Sequence, residues 1–348
     1  MAVFAGKWYS LNDVIAEMSE RYEENSMIDG NNKVLTLGVQ PDEMEFVQEK
    51  FAVSGIVSDV TYQYEAVLAA CGDIVIIVKD RIPAKAWKDI QSYRLEAGSV
   101  DDTVYYTFSL EQWLEAITVY RDEKALMKEW RQWWQNIHPE YDKFNPDGVV
   151  DYGRYFTMPD GKRILVILKE TNELATSLSD FLFCGGSRTY YKTWNNVARW
   201  MNVIFQDEFI EYVPRAVLDD AVHNFAVMNI KIYAGGNTAD KSEVKRIAKD
   251  DRVLLARQIR LYKPDLIITG GWNLVSDFVH DILLKEPKSN WYNPEKRADE
   301  AEPNLWYYWT KNARTGKKTL VVSMPHPNRT AIKWVLELQK VLHKEFGK

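Results

Sequence analysis

Four short apolar runs in the last two hundred residues each lead into side chains able to do chemistry. Residues 163–168 run into Lys169-Glu170-Thr171-Asn172, and residues 225–228 into Asn229-Ile230-Lys231. Residues 266–269 run into Gly270-Gly271, and residues 319–323 into Met324-Pro325-His326-Pro327-Asn328-Arg329. A carboxylate, an amide, ammonium groups and an imidazole are the groups that move protons, read a hydrogen-bonding edge and hold developing charge. Apolar runs this short, separated by helical patterns, predict strands of a parallel α/β sheet buried on both faces. Ligands of such sheets bind in the crevice beyond the carboxyl ends of the strands. The four runs therefore predict one site built from their ends.

The elements that must position these ends make up a domain over residues 161–348. A helix is expected over residues 189–205, with Trp194, Val197, Ala198, Met201, Ile204 and Phe205 on one face. Asp240 with Glu243 forms a capping-box-like start for a helix expected to run to Tyr262, with a basic, solvated face. A last helix spans residues 330–346. Ahead of this domain, residues 1–122 alternate strands and helices and predict a smaller α/β domain. Its strands are expected at 33–39, 74–78 and 103–108, and its helices at 12–24, 41–51, 62–70, 84–93 and 110–120. Between the two, residues 123–160 form an aromatic helix and linker. Trp130, Trp133 and Trp134 alternate there with Lys124, Lys128 and Arg131. A ring stripe of this kind is expected to pack domains together rather than stack on bases. Residues 139–161, rich in Pro, Gly and Asp, suit an irregular connection, which puts the boundary near residue 150.

Composition narrows the classes. The chain has 348 residues, 46% apolar and 27% charged, as in ordinary globular proteins. Its two cysteines, Cys71 and Cys184, make neither a disulfide framework nor a four-thiolate cluster, and point to a reducing cytoplasm. No signal peptide or membrane span is expected. Five scattered histidines without paired spacing argue against zinc, and no cofactor is expected. A net charge of −6 argues against a chain-wide nucleic-acid coat but is compatible with a local basic face.

Taken in order, the four strand ends resemble the uracil-DNA glycosylase superfamily. In that family a first strand end holds an acid or amide that positions water, and a second an Asn that reads a flipped base. A glycine-containing strand end follows, then a late His-Pro or Asn-Pro loop that contacts the base and wedges into the duplex. Here the matching residues are Glu170, Asn229, Gly270-Gly271 and His326-Pro327-Asn328-Arg329, over about residues 150–348. This sequence departs from the family pattern at four positions. Leu168 and Thr171 stand where glycine and proline are usual, Glu170 stands where many members have Asp, and Asn328 stands where Ser is usual. Residues 1–122 resemble a response-regulator receiver in element order alone, because Lys79, with Asp80 beside it, stands where the phosphate-accepting Asp would lie. That implies a non-catalytic accessory module able to engage a protein partner.

The resemblance implies a monofunctional DNA glycosylase. Glu170 would stabilise the sugar cation and orient water, and His326 would hold the departing base anion. Asn229 and Asn172 would bind the base, with Phe181 or Phe183 as an aromatic wall. Lys169, Arg188 and Lys231 would take phosphates, while Asn328 and Arg329 would enter the gap left by the base. The altered first loop implies room for a bulky base, such as glucosylated hydroxymethylcytosine of phage DNA, and hence a role in antiviral defence. Two alternatives stay open: a non-catalytic nucleic-acid or nucleotide-binding protein of the same fold, and a hydrolase of free nucleosides.

Overall fold

The computed structural model describes residues 2–4, 7–9, 34–51, 57–59, 74–97, 104–139, 143–158, 162–171, 174, 177–188, 191–235, 240–272, 274–285, 305–311 and 316–347. The helices expected at 12–24 and 62–70 lie outside the described residues. The chain is a mixed α/β protein that divides into two compact units. One comprises residues 1–120 and 152–159, the other residues 121–151 and 160–348.

The first unit holds a strand pair, β1 (Ala2–Phe4) and β2 (Lys7–Tyr9), and a sheet of β3 (Val34–Leu37), β4 (Val57–Asp59), β5 (Ile74–Val78) and β6 (Val104–Phe108). The sheet is ordered β4-β3-β5-β6 and all its pairings are parallel. β3 and β5 are buried along their whole length, as continuous Val/Ile/Leu runs require. Helix α1 (Met44–Lys50) follows a 3-10 turn opened by Pro41, and α2 (Ala84–Ala97) follows β5. Phe46, Phe51, Phe108 and Trp113 are all fully buried here, with ring centroids 5.0–5.5 Å apart in edge-on and tilted contacts.

Helix α3 runs unbroken from Leu110 to Ile137, through what the sequence suggested were two separate stretches. The segment expected to be an irregular connection contains a strand, β7 (Gly148–Val149), and a helix, α4 (Tyr152–Thr157). Both are short and depend on partners distant in sequence. Gly148 and Val149 pair with Val227 and Ala226, and Gly153 lies where a Cβ would fall 2.2 Å from the Tyr106 ring. Within the second unit the tryptophan stripe is divided. Trp130 is fully buried, Trp134 packs on Phe144 and Tyr233, and half-exposed Trp133 donates its Nε1–H to Asp251.

The second unit is organised on a six-stranded sheet, β11-β12-β10-β8-β9-β7. Its strands are β8 (Ile164–Leu168), β9 (Ala226–Asn229), β10 (Leu266–Gly270), β11 (Trp306–Lys311) and β12 (Lys318–Met324), with β7 at one edge. The four central strands pair in parallel, while β11 and β7 run antiparallel, so the sheet is mixed. Helices α5 (Leu178–Phe183), α6 (Tyr191–Gln206), α7 (Arg215–Val222), α8 (Lys241–Asp250), α9 (Arg252–Tyr262), α10 (Val275–Phe278, continued as a π-helical turn to Leu284) and α11 (Ile332–Phe346) belong to this unit. On α6, Trp194, Val197, Ala198, Trp200, Met201 and Ile204 are buried in one core with Val166, Ile268, Val322 and Leu338. The single helix expected from Asp240 to Tyr262 is two. Asp240 caps α8 by accepting from the Ser242 and Glu243 N–H groups, and buried Asp251 ends it. Asp251 spends its carboxylate on Trp133 and its carbonyl on the first turn of α9.

Candidate functional site

The parallel order β12-β10-β8-β9 brings all four carboxyl ends to one edge. Register pairs Gly270 with Met324, Thr269 with Ile167, and Leu168 with Asn229. At about 4.8 Å between neighbouring strands, the four ends span about 14 Å. In spatial order the edge presents the His326 loop, Gly270-Gly271-Trp272, Lys169-Glu170, and Asn229-Ile230-Lys231.

Packing explains the glycines at the centre. A Cβ on Gly270 would lie 2.7 Å from the Leu168 side chain and 3.1 Å from Pro327. Gly271 has a φ of +144°, which lets the chain turn from β10 into α10. Behind them Thr269, Ser276 and Ser323 form a buried hydroxyl row with O···O distances of 2.7 and 2.6 Å. The first loop is anchored by its side chain at 171. Thr171 donates to Asn145 Oδ1 at 3.0 Å, and the Thr171 carbonyl accepts from Gly235 N–H.

Glu170 is largely enclosed. Its Oε2 lies 2.6 Å from Lys231 Nζ, and its side chain is 6% exposed. A Cβ on Gly235 would collide with that carboxylate at 2.2 Å, so glycine lets the two segments close on it. Lys231 is also 3.4 Å from Glu243. The sequence placed Lys231 at a phosphate. Instead its side chain is 2% exposed and committed to two carboxylates, because the residue two beyond the end of β9 turns back under the β8 loop. Among the described residues, no protein group hydrogen-bonds Glu170 Oε1, which leaves one oxygen for a water or a sugar.

Asn229 is the other inward group. It is 1% exposed, and its backbone N–H donates to Asp147 Oδ2. Among the described residues, neither Oδ1 nor Nδ2 of its side chain is in hydrogen-bonding geometry with a protein group, although the amide lies close enough to Asp147 to favour the carboxylate. A buried amide with both ends unspent costs stability and needs a reason. Asp147 escaped the sequence analysis. It stands behind Asn229, accepts from Gln258 Nε2 at 2.6 Å, and heads a buried chain through Tyr262 to Glu123. Burial pushes its carboxyl up to about 7, against the hydrogen bonds from Gln258 and Asn229 and with the Glu123 charge adding to the rise.

His326 stands at the β12 end of the same edge. Its Nδ1 accepts the Asn328 N–H at 3.2 Å, which leaves the ring proton on Nε2. Burial, with the nearby Lys169 and Arg329 charges, lowers its pKa to about 4, so it is a neutral donor at physiological pH. The loop is buttressed from below, where Asn196 Nδ2 donates to the Pro327 carbonyl at 2.6 Å and Arg199 holds Asn196 Oδ1. Asn196 and Arg199 lie on α6, far away in sequence, and no local signal marked them. Lys169 is half-buried. Desolvation lowers its pKa, and the neighbouring charges of Arg329 and Lys241 add to the fall against that of Glu170. Asn328 and Arg329 are exposed.

Among the other expected site residues, the structure describes the rings of Phe181 and Phe183. Phe183 rests on His223, whose Nδ1 is 3.1 Å from Asp151, ahead of the start of β9 and away from its Asn229 end. Phe181 lies over Gly186 and the apolar core. Arg188 lies in a 3-10 turn, Gly186–Arg188, and its side chain is outside the described residues, as is Asn172. Among the described residues no cluster of three His, Cys, Asp or Glu side chains could hold a metal ion, and no helix is long and apolar enough to cross a membrane.

No protein-family model matches the sequence, and no curated protein matches it significantly.

Proposed function

We propose that this protein is a DNA glycosylase that hydrolyses the N-glycosidic bond of a flipped pyrimidine and leaves an abasic site. The observation that carries this reading is the buried, unspent amide of Asn229 on one strand-end edge with Glu170 and a neutral His326. An amide that finds no protein partner is suited to pairing with the hydrogen-bonding edge of a base. As the C1′–N bond breaks, positive charge builds on the sugar and negative charge on the base. Glu170, through Oε1, would stabilise the former and orient the water that adds to C1′. His326 Nε2–H would donate to the base as it leaves. No metal or cofactor is needed for this chemistry.

The ordered set Glu170, Asn229, Gly270-Gly271 and His326-Pro327 supports a uracil-DNA-glycosylase-like fold for residues 161–348. The residues that replace the usual glycine and proline of the first loop, Leu168 and Thr171, support a substrate other than uracil. A glucosylated hydroxymethylcytosine of phage DNA is the proposed base, with antiviral defence in the cytoplasm as the setting and the first unit as an accessory module for a protein partner.

The test is an abasic-site assay on uracil-containing, unmodified, hydroxymethylated and glucosylated DNA, with wild type compared with Glu170→Ala and His326→Ala. Cleavage of the glucosylated DNA alone, falling about 10²–10⁴-fold in each variant, is the expected result. Rapid release of uracil with modified DNA left intact would overturn the substrate. One observation favours a second reading, a protein that binds nucleic acid without cutting it: Glu170 is 6% exposed and ion-paired with a buried lysine. DNA binding without abasic sites on any substrate would establish that reading.

A further inference from the structure

Trp272 is the one large aromatic among the described residues 269–272 at the end of β10, and neither acid–base chemistry nor base reading uses it. It follows Gly271 between the His326 loop and the Glu170 loop, the central position in the order of strand ends. The residue is 41% exposed although it lies beside a buried strand end. The ring is held in place. Nε1 donates to the Ser323 carbonyl at 3.3 Å, and Trp334 meets it edge-on with centroids 4.6 Å apart. Gly271 brings the Lys169 stem alongside, since a Cβ there would lie 4.0 Å from Lys169 Cγ. Lys333 Nζ sits 5.3 Å from the Trp334 ring centre. Arg329 and Lys333 are exposed, and neither they nor Lys169 form an ion pair among the described residues. A fixed, half-exposed ring in a neighbourhood of cations that form no ion pair among the described residues has the chemistry of a stacking platform for an unpaired nucleotide whose phosphates lie on the cations. An apolar peptide would use the ring but leave the cations without partners.

We infer that Trp272, backed by Trp334, stacks on a nucleobase of single-stranded or locally opened DNA at the mouth of the site, with Lys169, Arg329 and Lys333 on the flanking phosphates. This rests on the nucleic-acid reading above and adds to it the strand state of the ligand and a residue that engages it. Because the ring contributes to holding the nucleotide and not to bond breaking, its loss should act on affinity and KM rather than on kcat.

The experiment measures the affinity of the full-length protein for a fluorescent single-stranded oligonucleotide at several salt concentrations. Wild type is compared with Trp272→Ala, Trp272→Phe and Lys333→Ala, and KM and kcat are followed on whichever DNA is cut. Trp272→Ala should weaken binding about 5- to 100-fold, the usual range for losing one stacked base, and Trp272→Phe should recover most of the loss. Lys333→Ala should flatten the salt dependence by about one phosphate contact. On an oligonucleotide of abasic sugars, Trp272→Ala and wild type should bind alike. Equal affinity of wild type and both Trp272 variants for the base-containing strand overturns the inference, and so does a Trp272→Ala loss that persists on the abasic strand. Thermal melting checks that each variant is folded, and Trp272→Phe keeps the test decisive if alanine unfolds the loop. If wild type binds and shows the Trp272 effect but cuts nothing, the platform stands and the glycosylase reading fails. If wild type binds no DNA, both fail.

Discussion

The protein contains two parallel strand-end edges, and they differ in how completely their polar groups are used. At the edge of the first unit, Glu43 receives both guanidinium nitrogens of Arg81 at 2.6 and 2.8 Å, the Gln40 N–H and the Trp113 indole N–H. Arg81, just beyond β5, also donates to the Gly38 carbonyl just beyond β3. Asp80 accepts the Leu110 N–H and so caps α3. Burial pushes the Glu43 carboxyl up, but the bonds from Arg81, Gln40 and Trp113 together hold it below the ordinary carboxylate range. The acid beside the position of a receiver's phosphate acceptor is therefore a helix cap, and Glu43 and Arg81 nearby are saturated. At the edge of the second unit, the Asn229 amide, His326 Nε2–H, Glu170 Oε1 and the charges of Lys169, Arg329 and Lys333 find no hydrogen-bond or ion-pair partner among the described residues. Polar groups that a fold buries and pairs contribute to stability or specificity, whereas those it buries unpaired cost stability and are retained for a ligand.

The contrast can be broken by substitution. Arg81→Leu leaves the Glu43 charge buried and unpaired. It should destabilise the first unit by about 3–5 kcal/mol, read by chemical denaturation, while any DNA activity of the folded protein is unchanged. The pH dependence of stability sharpens the second edge. Asp147 titrates near 7 when folded and near 3.8 when unfolded, so the folded state binds the proton more tightly. The stability this lends is complete below about pH 4 and lost as pH rises through 7, a drop on the order of a few kcal/mol. Denaturation midpoints from pH 5 to 8 should show it, and Asp147→Asn should flatten that slope; an unchanged slope would exclude Asp147 as its source.

Asn229→Leu is the mirror image of the Arg81 variant. It removes an unsatisfied amide, so stability should stay the same or rise by about 1 kcal/mol, while DNA cleavage or binding is lost. A marked fall in stability would mean that the amide is paired within the protein and is not a site group. The smallest effect concerns His326. Lys169→Met removes one of the two cations that depress it, so its pKa should move from about 4 toward 6.5, as followed by imidazole NMR. Because a depressed histidine adds stability above its unfolded pKa and loses it as pH falls toward 4, the acid side of the stability curve should flatten in the same variant.

The strands of the second sheet were legible in the sequence because each is a buried apolar run bounded by turn residues. The runs at 163–168, 225–228, 266–269 and 319–323 became β8, β9, β10 and β12 with shifts of a residue or so at their ends. β7 and α4 were not legible, because two residues of Gly-Val and six of a Tyr-rich helix have no period of their own and form only against Val227 and Tyr106. The break at Asp251 was hidden for the same reason, since its cause is an indole 118 residues away.

For the site, the sequence by itself determined which residue types stand at the strand ends. Glu170, Asn229 and His326 were marked by position alone, since chain order places them there and a parallel sheet must collect them on one edge. Tertiary structure alone decided what each group is free to do. It turned Lys231 from a surface cation into the buried partner of Glu170, set Asp147 behind Asn229, and packed Phe183 on His223. It also left Trp272 half-open between the two loops. Those outcomes depend on which distant groups arrive within about 3 Å, and neither propensity nor periodicity along a single chain carries that information.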